Sequence, residues 1–327
     1  MPSRRNLIAA SLATLSVAAA PAAAEEPLNA VTTVGMIADV VANIGGECVS
    51  STALMGPGVD PHLYQATARD VRTFQTADVI FYSGYHLEGQ LGDVLERLSQ
   101  RIPTIAVSET AIPKNEIIHV DNGYGLDPHV WMDPGLWAKT VPVIAGKLAE
   151  LRPDCAGTIN ANAAAYGEQL AALDDWAEKS VASIDNGHRV LVTAHDAFNY
   201  FGRAYGIEVS GIQGISTESE AGVADIRDVA DMVAERGVPA IFVESTINPR
   251  TIQAVVDAAS RQGHRIEIGA ELYSDAMGEK GTAGGTYIGM IYENTYNITR
   301  ALGGTPPPLP EALSGWAEQW DLAIAGE

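Results

Sequence analysis

Two series of short apolar, β-branched runs alternating with longer helical patterns, separated by one Ala-rich stretch, constrain the fold of this chain more than any other feature. The first series pairs AVTTVG with IADVVANIGG, STALM with ATARDVRTFQTA, and DVIFYSG with LEGQLGDVLERLSQR, and closes on TIAVS near residue 107. The second pairs RVLVTA with AFNYFGRAYG, EVSGIQG with AGVADIRDVADMVAERG, and AIFVES with NPRTIQAVVDAASRQG; RIEIGAE then precedes a final helical region. Such alternation builds βα units around parallel sheets. The expected class is α/β, with two lobes, each a mostly parallel sheet flanked by helices. A chain of 327 residues also exceeds what one ordinary core holds, so two domains are the prior expectation.

Between the series, the stretch from Pro134 to about Ile184 is helix-permissive and is interrupted near Arg152-Pro153. Pro153 can open a helix, and TINANAAAYGEQLAALDDWAEKSVASI continues it with apolar residues at helical spacing. One long backbone helix is expected to join the lobes. The resulting division is a signal peptide over 1–24, a first lobe over 25–150, a linking helix within 151–185 and a second lobe over 186–327. Lys114 to Leu126, containing His119 and little periodicity, reads as a surface loop.

The signal peptide follows from Arg4 and Arg5, an apolar run too short to span a bilayer, and Ala22-Ala23-Ala24 before an acidic start. No Cys stands at the cleavage point, which argues against a lipidated anchor there. A mature protein of the periplasm is expected. The formal net charge of -21 argues against binding nucleic acid or anionic lipid through bulk electrostatics. An oxidising compartment permits Cys48 and Cys155 to pair. Two separate buried thiols are the alternative, and their spacing is too wide for a metal knuckle.

Chemistry enters through a repeated tripeptide. Asp-Pro-His ends at His62 in VDPHLYQAT and at His129 in LDPHVWMDP. Pro61 and Pro128 stiffen both turns, which lowers the entropy lost when each imidazole is fixed. Asp60 and Asp127 suit bonding to the turn backbone or accepting an imidazole proton better than direct ligation. His195 stands just past RVLVTA and Asp275 a few residues beyond RIEIGAE. In open α/β sheets, ligands collect beyond the carboxyl ends of strands. His62 and His129 belong to the first lobe, His195 and Asp275 to the second, so an ion held by all four would lie between them.

Three imidazoles and one carboxylate make a four-coordinate site for a borderline metal, with Zn²⁺ ahead of Mn²⁺. Each residue also has a plainer reading. Alone, His62 or His129 is an ordinary packing or surface residue. His195 with Asp196 could act as a base, although no Gly-x-Ser-x-Gly nucleophile accompanies it. Asp275 could cap a helix. Glu244, ending AIFVES, reads as a residue behind the ligands or a helix cap more than as a fifth ligand. His86 could line the cleft's entrance, though packing or solvent exposure suits it better, and His119, His188 and His264 lack comparable context.

Through GPGVDPHLYQAT, DPHVWMDP, VTAHDAFNYFGRAYG, IFVESTINPRTI and ELYSDAMG the chain resembles the zinc/manganese solute-binding proteins of ABC importers, the TroA-like group. That resemblance covers nearly the whole mature sequence. It implies two α/β lobes joined by one long helix, one transported ion per chain (Zn²⁺ or Mn²⁺), a membrane permease as partner, a monomer, and no enzymatic activity. It also places the family's ligands on His62, His129, His195 and Asp275. A histidine at the third position resembles the zinc or zinc/manganese members, while the lack of a His-rich loop departs from many dedicated zinc members. A secreted zinc hydrolase is the rival reading. It would need an open position for water and shows no His-Glu-x-x-His helix here. A metal-binding adhesin is a further alternative.

Overall fold

A computed structural model describes residues 26–120 and 125–323. The expected signal peptide lies outside the described residues. The first sheet holds β1 (Leu28–Thr32), β2 (Val49–Ala53), β3 (Val79–Tyr82) and β4 (Thr104–Ala106) in the order β2-β1-β3-β4, every pair parallel. Crossovers run through α1 (Gly35–Gly45), α2 (Ala68–Gln75) and α3 (Gly92–Ser99), and α4 (Val107–Ala111) follows β4. Strands β1 and β3 are buried almost throughout, as a sheet covered by helices requires. Helix α2 starts at a capping box: the Thr67 hydroxyl accepts from the Asp70 amide, while the Asp70 carboxylate accepts from the Thr67 amide at 2.7 Å. This cap fixes the end of the loop that carries His62.

The expected loop before residue 126 contains more order than its composition suggests. A short antiparallel pair, β5 (His119–Val120) and β6 (Gly125–Leu126), forms within it. Tertiary contacts sustain this pairing: the Tyr200 hydroxyl accepts from the Ile118 amide at 3.0 Å, and the Asp127 amide donates to the Ile118 carbonyl at 3.0 Å. No local periodicity could have announced it.

The Ala-rich stretch divides into α5 (Pro134–Trp137), α6 (Thr140–Leu151) and α7 (Ala156–Ala182). The last has 27 residues, about 40 Å of helix. The break at Arg152-Pro153 falls where expected, and Arg152 turns inward to donate to the carbonyls of Glu26 and Cys48 at 3.0 Å each. Cys48 and Cys155 form a disulfide that ties the start of β2 to the start of α7.

The second lobe pairs β7 (Val190–His195) with β8 (Glu208–Gln213), and β9 (Ala240–Ile241) with β10 (Glu267–Ile268), both parallel. The Phe242 amide donates to the Val192 carbonyl at 2.9 Å, joining the two pairs, and a parallel bridge between Glu244 and Leu272 extends the second. Helices α8 (Asn199–Tyr205), α9 (Val223–Arg236) and α10 (Arg250–Arg261) cross over, before α11 (Tyr287–Ala301) and α12 (Ser314–Glu318). At Gly211 in β8, an added Cβ would lie 2.6 Å from the Asp196 amide nitrogen. Only glycine lets β8 pass this close to the His195-Asp196 turn.

One apolar core runs from the first sheet through α6, α7 and α11 to Phe198, Phe201, Tyr205 and Phe242 in the second lobe. A second core, including Val190, Val192, Ala194, Val233, Ile252 and Val255, belongs to the second lobe alone. Strand β7 separates them, with Leu191 packed in the first and its neighbours in the second. The lobes thus share apolar packing as well as a helix. Among the described residues no helix is long and apolar enough to cross a membrane.

The disulfide closes a loop spanning 107 residues. Its loss through Cys48→Ser with Cys155→Ser is expected to lower the unfolding free energy by about 2–5 kcal/mol. Chemical denaturation of the oxidised protein and the double variant measures this, and coincident midpoints would contradict it.

Candidate metal centre

Four loops converge between the lobes. His62 lies between β2 and α2, His129 follows β6, His195 ends β7, and Asp275 follows β10. One donor atom from each lies within 4.8 Å of the others, and all four residues are buried. His129 Nε2 is 3.4 Å from His62 Nε2 and 3.2 Å from Asp275 Oδ1. His195 Nε2 and His62 Nε2 lie 3.3 Å and 3.8 Å from Asp275 Oδ2. Every residue singled out as a candidate ligand is therefore brought to one place.

The Asp-Pro-His turns share one construction. Asp60 Oδ1 accepts from the His62 amide at 2.9 Å, and Asp127 Oδ1 accepts from the His129 amide at 3.0 Å. Each carboxylate thus closes an Asx turn that aims the following imidazole. Asp127 has a second task, since its Oδ1 is 2.8 Å from His129 Nδ1. That contact directs Nε2 toward the centre. Asp127 is itself held by Asn199 Nδ2 at 3.0 Å and, through its carbonyl, by the Tyr200 hydroxyl at 2.7 Å.

Glu244 serves His195 in the same way. Its Oε1 accepts from the His195 amide at 2.8 Å, and Oε2 lies 2.5 Å from His195 Nδ1. The second contact is an ion pair when His195 is protonated. The placement puts Glu244 behind a histidine, on the side away from the other donors. Trp131 stands edge-on to His129, with ring centroids 5.3 Å apart, and its Nε1 donates to the Ser274 carbonyl at 2.9 Å. An indole from the first lobe thereby positions the Asp275 turn. His86 is exposed, as is His119, and neither reaches the centre.

Asn199, Tyr200 and Trp131 carry no motif that marks them as functional. The only available signal was their closeness to His195 and His129, because what they bind lies across the cleft.

Charge is arranged to suit a cation. Burial pushes the His62 imidazole down to about 4, outweighing the pull of Asp275. Burial also opposes a proton on His129, but Asp127 and Asp275 overcome it and hold that imidazole up at about 9. His195 is likewise driven down by burial and, more strongly, up by Glu244 and Asp275, to well above the ordinary range. Burial disfavours the Asp275 carboxylate, yet His195 and His129 keep it ionised far below its usual range. Even so, neither Asp275 oxygen accepts a hydrogen bond from the described residues, and His195 Nε2 makes none. Fully buried polar atoms seldom stay unsatisfied unless something else completes them. Three imidazoles and a carboxylate are a set that a borderline divalent ion satisfies at once.

A raised pKa in the folded state means that protonated His129 stabilises the ion-free protein. That contribution is present in full below the ordinary value of 6.5 and is lost as pH rises through about 9. NMR titration of the ion-free protein should place the His129 midpoint near 9, and Asp127→Asn should move it down. An unshifted midpoint in that variant would show that Asp127 does not hold the proton.

Comparison with known proteins agrees with this architecture. The family model described as zinc-uptake complex component A, periplasmic (ZnuA), matches residues 30–301. The manganese-binding lipoprotein MntA of Bacillus subtilis is 47% identical over 279 residues, covering 85% of this chain and 91% of that protein. The zinc-binding protein TroA of Treponema pallidum is 46% identical over 281 residues, covering 86% and 91%. The solved structure of the periplasmic zinc-binding protein TroA superposes with a TM-score of 0.82, over 84% of this chain and 99% of its own. The chain belongs to the ZnuA family of solute-binding transport proteins.

Proposed function

We propose that this protein captures one divalent transition-metal ion between its lobes and delivers it to the membrane permease of an ABC importer. The ligands in this reading are His62, His129, His195 and Asp275. The observation that carries it is the convergence of those four buried donors with both Asp275 oxygens left without hydrogen bonds. Family membership supports the transport role. On the same footing we propose a signal peptide over 1–24 and a mature, monomeric protein of the periplasm. The proposed division is a first lobe over 25–150, a linking helix within 151–185 and a second lobe over 186–327.

Zinc is the proposed cargo, with manganese second. The relatives named for manganese and zinc are 47% and 46% identical, so likeness does not separate the two. Donor chemistry favours zinc: neutral imidazoles suit tetrahedral Zn²⁺, whereas Mn²⁺ prefers more oxygen and higher coordination. Zn²⁺ also stands above Mn²⁺ in intrinsic affinity, so binding strength and physiological cargo are separate questions. Elemental analysis of protein purified from its native compartment reports the cargo, and growth under zinc or manganese limitation, with and without the gene, tests import. Unimpaired growth of the deletion strain under both limitations would contradict the proposal.

Four protein donors complete a tetrahedral shell and leave no position for an activated water, which favours carriage over hydrolysis. Release then requires the shell to be pulled apart. The shared core and α7 oppose a wide hinge, so the expected rearrangement is a small shift of loops against a stiff frame.

Two expectations follow from the donor set. His129→Ala should weaken zinc binding by several kcal/mol, on the order of a thousandfold, while the circular dichroism of the ion-free protein stays unchanged. Competition titration with a chromophoric chelator measures this, and unchanged affinity would remove His129 from the shell. Because His129 and His195 carry protons near neutral pH, binding should expel about two protons at pH 7 and tighten as pH rises toward 9. Calorimetry in buffers of differing ionisation enthalpy counts them, and a count of zero would contradict the charge arrangement.

A further inference from the structure

A strap of the second lobe, residues 214–222 between β8 and α9, crosses to the first lobe at the mouth of the cleft. Its ends are fixed in its own lobe. Ile215 is buried, Gln213 Nε2 donates to the Ser219 carbonyl at 3.1 Å, and the Gly222 amide donates to Asp225 Oδ2 at 2.8 Å. Its middle reaches over: the Thr217 hydroxyl donates to Asp60 Oδ2 at 2.5 Å, and Gln90 Nε2 donates to Glu218 Oε1 at 3.0 Å.

The two crossings differ in consequence. Gln90 and Glu218 are both exposed, whereas Thr217 is buried. Water competes fully for the first bond and less for the second, whose acceptor Asp60 is half-buried. Asp60 is also the residue whose other oxygen closes the turn presenting His62, through the His62 amide at 2.9 Å. One carboxylate therefore joins a ligand-bearing turn of the first lobe to a strap of the second. Outside this joint lies a cavity of about 370 Å³ bounded by Asp60, Leu63, Thr217, Glu220, Asn248 and Arg250.

We propose that Thr217 is a positioning residue that latches the lobes: its bond to Asp60 holds the His62 turn in place and sets the rate at which the bound ion leaves. This rests on the metal-binding reading above. Thr217 is not among the four converging donors, so the latch acts on escape more than on capture. A docking partner that displaced the strap would loosen His62 without dismantling the other three.

The test uses the full mature protein loaded with Zn²⁺, with dissociation followed by stopped flow into excess chelator. Thr217→Val, which keeps the shape and removes the hydroxyl, should speed ion loss by about tenfold. Its association rate should change less than about twofold, and its ion-free melting temperature should fall by no more than about 4 °C, the loss expected from one such bond. Thr217→Ser, which keeps the hydroxyl, should dissociate at close to the wild-type rate, and Gln90→Ala should accelerate loss only slightly. Wild-type dissociation from Thr217→Val, or equal acceleration in Thr217→Ser, would overturn the latch. Failure of the wild-type protein to bind Zn²⁺ at all would instead overturn the metal-binding reading, and the latch with it.

Discussion

Asp275 is the group on which the rest of this structure depends. A carboxylate with about 1% exposure and no hydrogen bond to either oxygen is costly to keep ionised unless cationic charge faces it. His129 and His195, both held above the ordinary imidazole range, supply that charge when no ion is bound, while burial keeps His62 neutral. In the proposed cycle this buried cluster has its charge satisfied in two ways, by protons or by a divalent cation. Exchange between these states is the chemical core of the proposed cycle.

Holding such a cluster together requires a frame that does not relax around it. The apolar core continuous through both lobes, the long helix α7 and the disulfide at its start provide one. Behind the centre, Asp127 and Glu244 orient two of the imidazoles, and Asn199, Tyr200 and Trp131 carry the arrangement across the cleft. The bonds of Asn199, Tyr200 and Trp131 link the two lobes, so the lobes cannot separate widely without breaking all three. Stiffness of this kind favours discrete local release over a broad opening.

How far the sequence discloses this arrangement depends on whether the signal is local. The βα alternation, the break at Arg152-Pro153, and the histidines in the two Asp-Pro-His turns and at the end of β7 are local, and each is readable. Asp275 is less so: its place beyond RIEIGAE marks it as a candidate, but an aspartate before a helical region is equally a helix cap, and the family resemblance is what favours the ligand. The pairing of Cys48 with Cys155, the short strands around His119 and Leu126, and the bond from Thr217 to Asp60 all depend on tertiary approach. Nothing in their flanking residues encodes a partner distant in the chain.

X-ray absorption spectroscopy at the zinc edge, on the loaded mature protein, tests the central claim most directly. The expected spectrum shows a four-coordinate shell with multiple-scattering features of three imidazoles, nitrogen at about 2.0–2.1 Å, and one carboxylate oxygen. A spectrum with fewer than three imidazoles, or with an exchangeable water in place of the carboxylate, would contradict it.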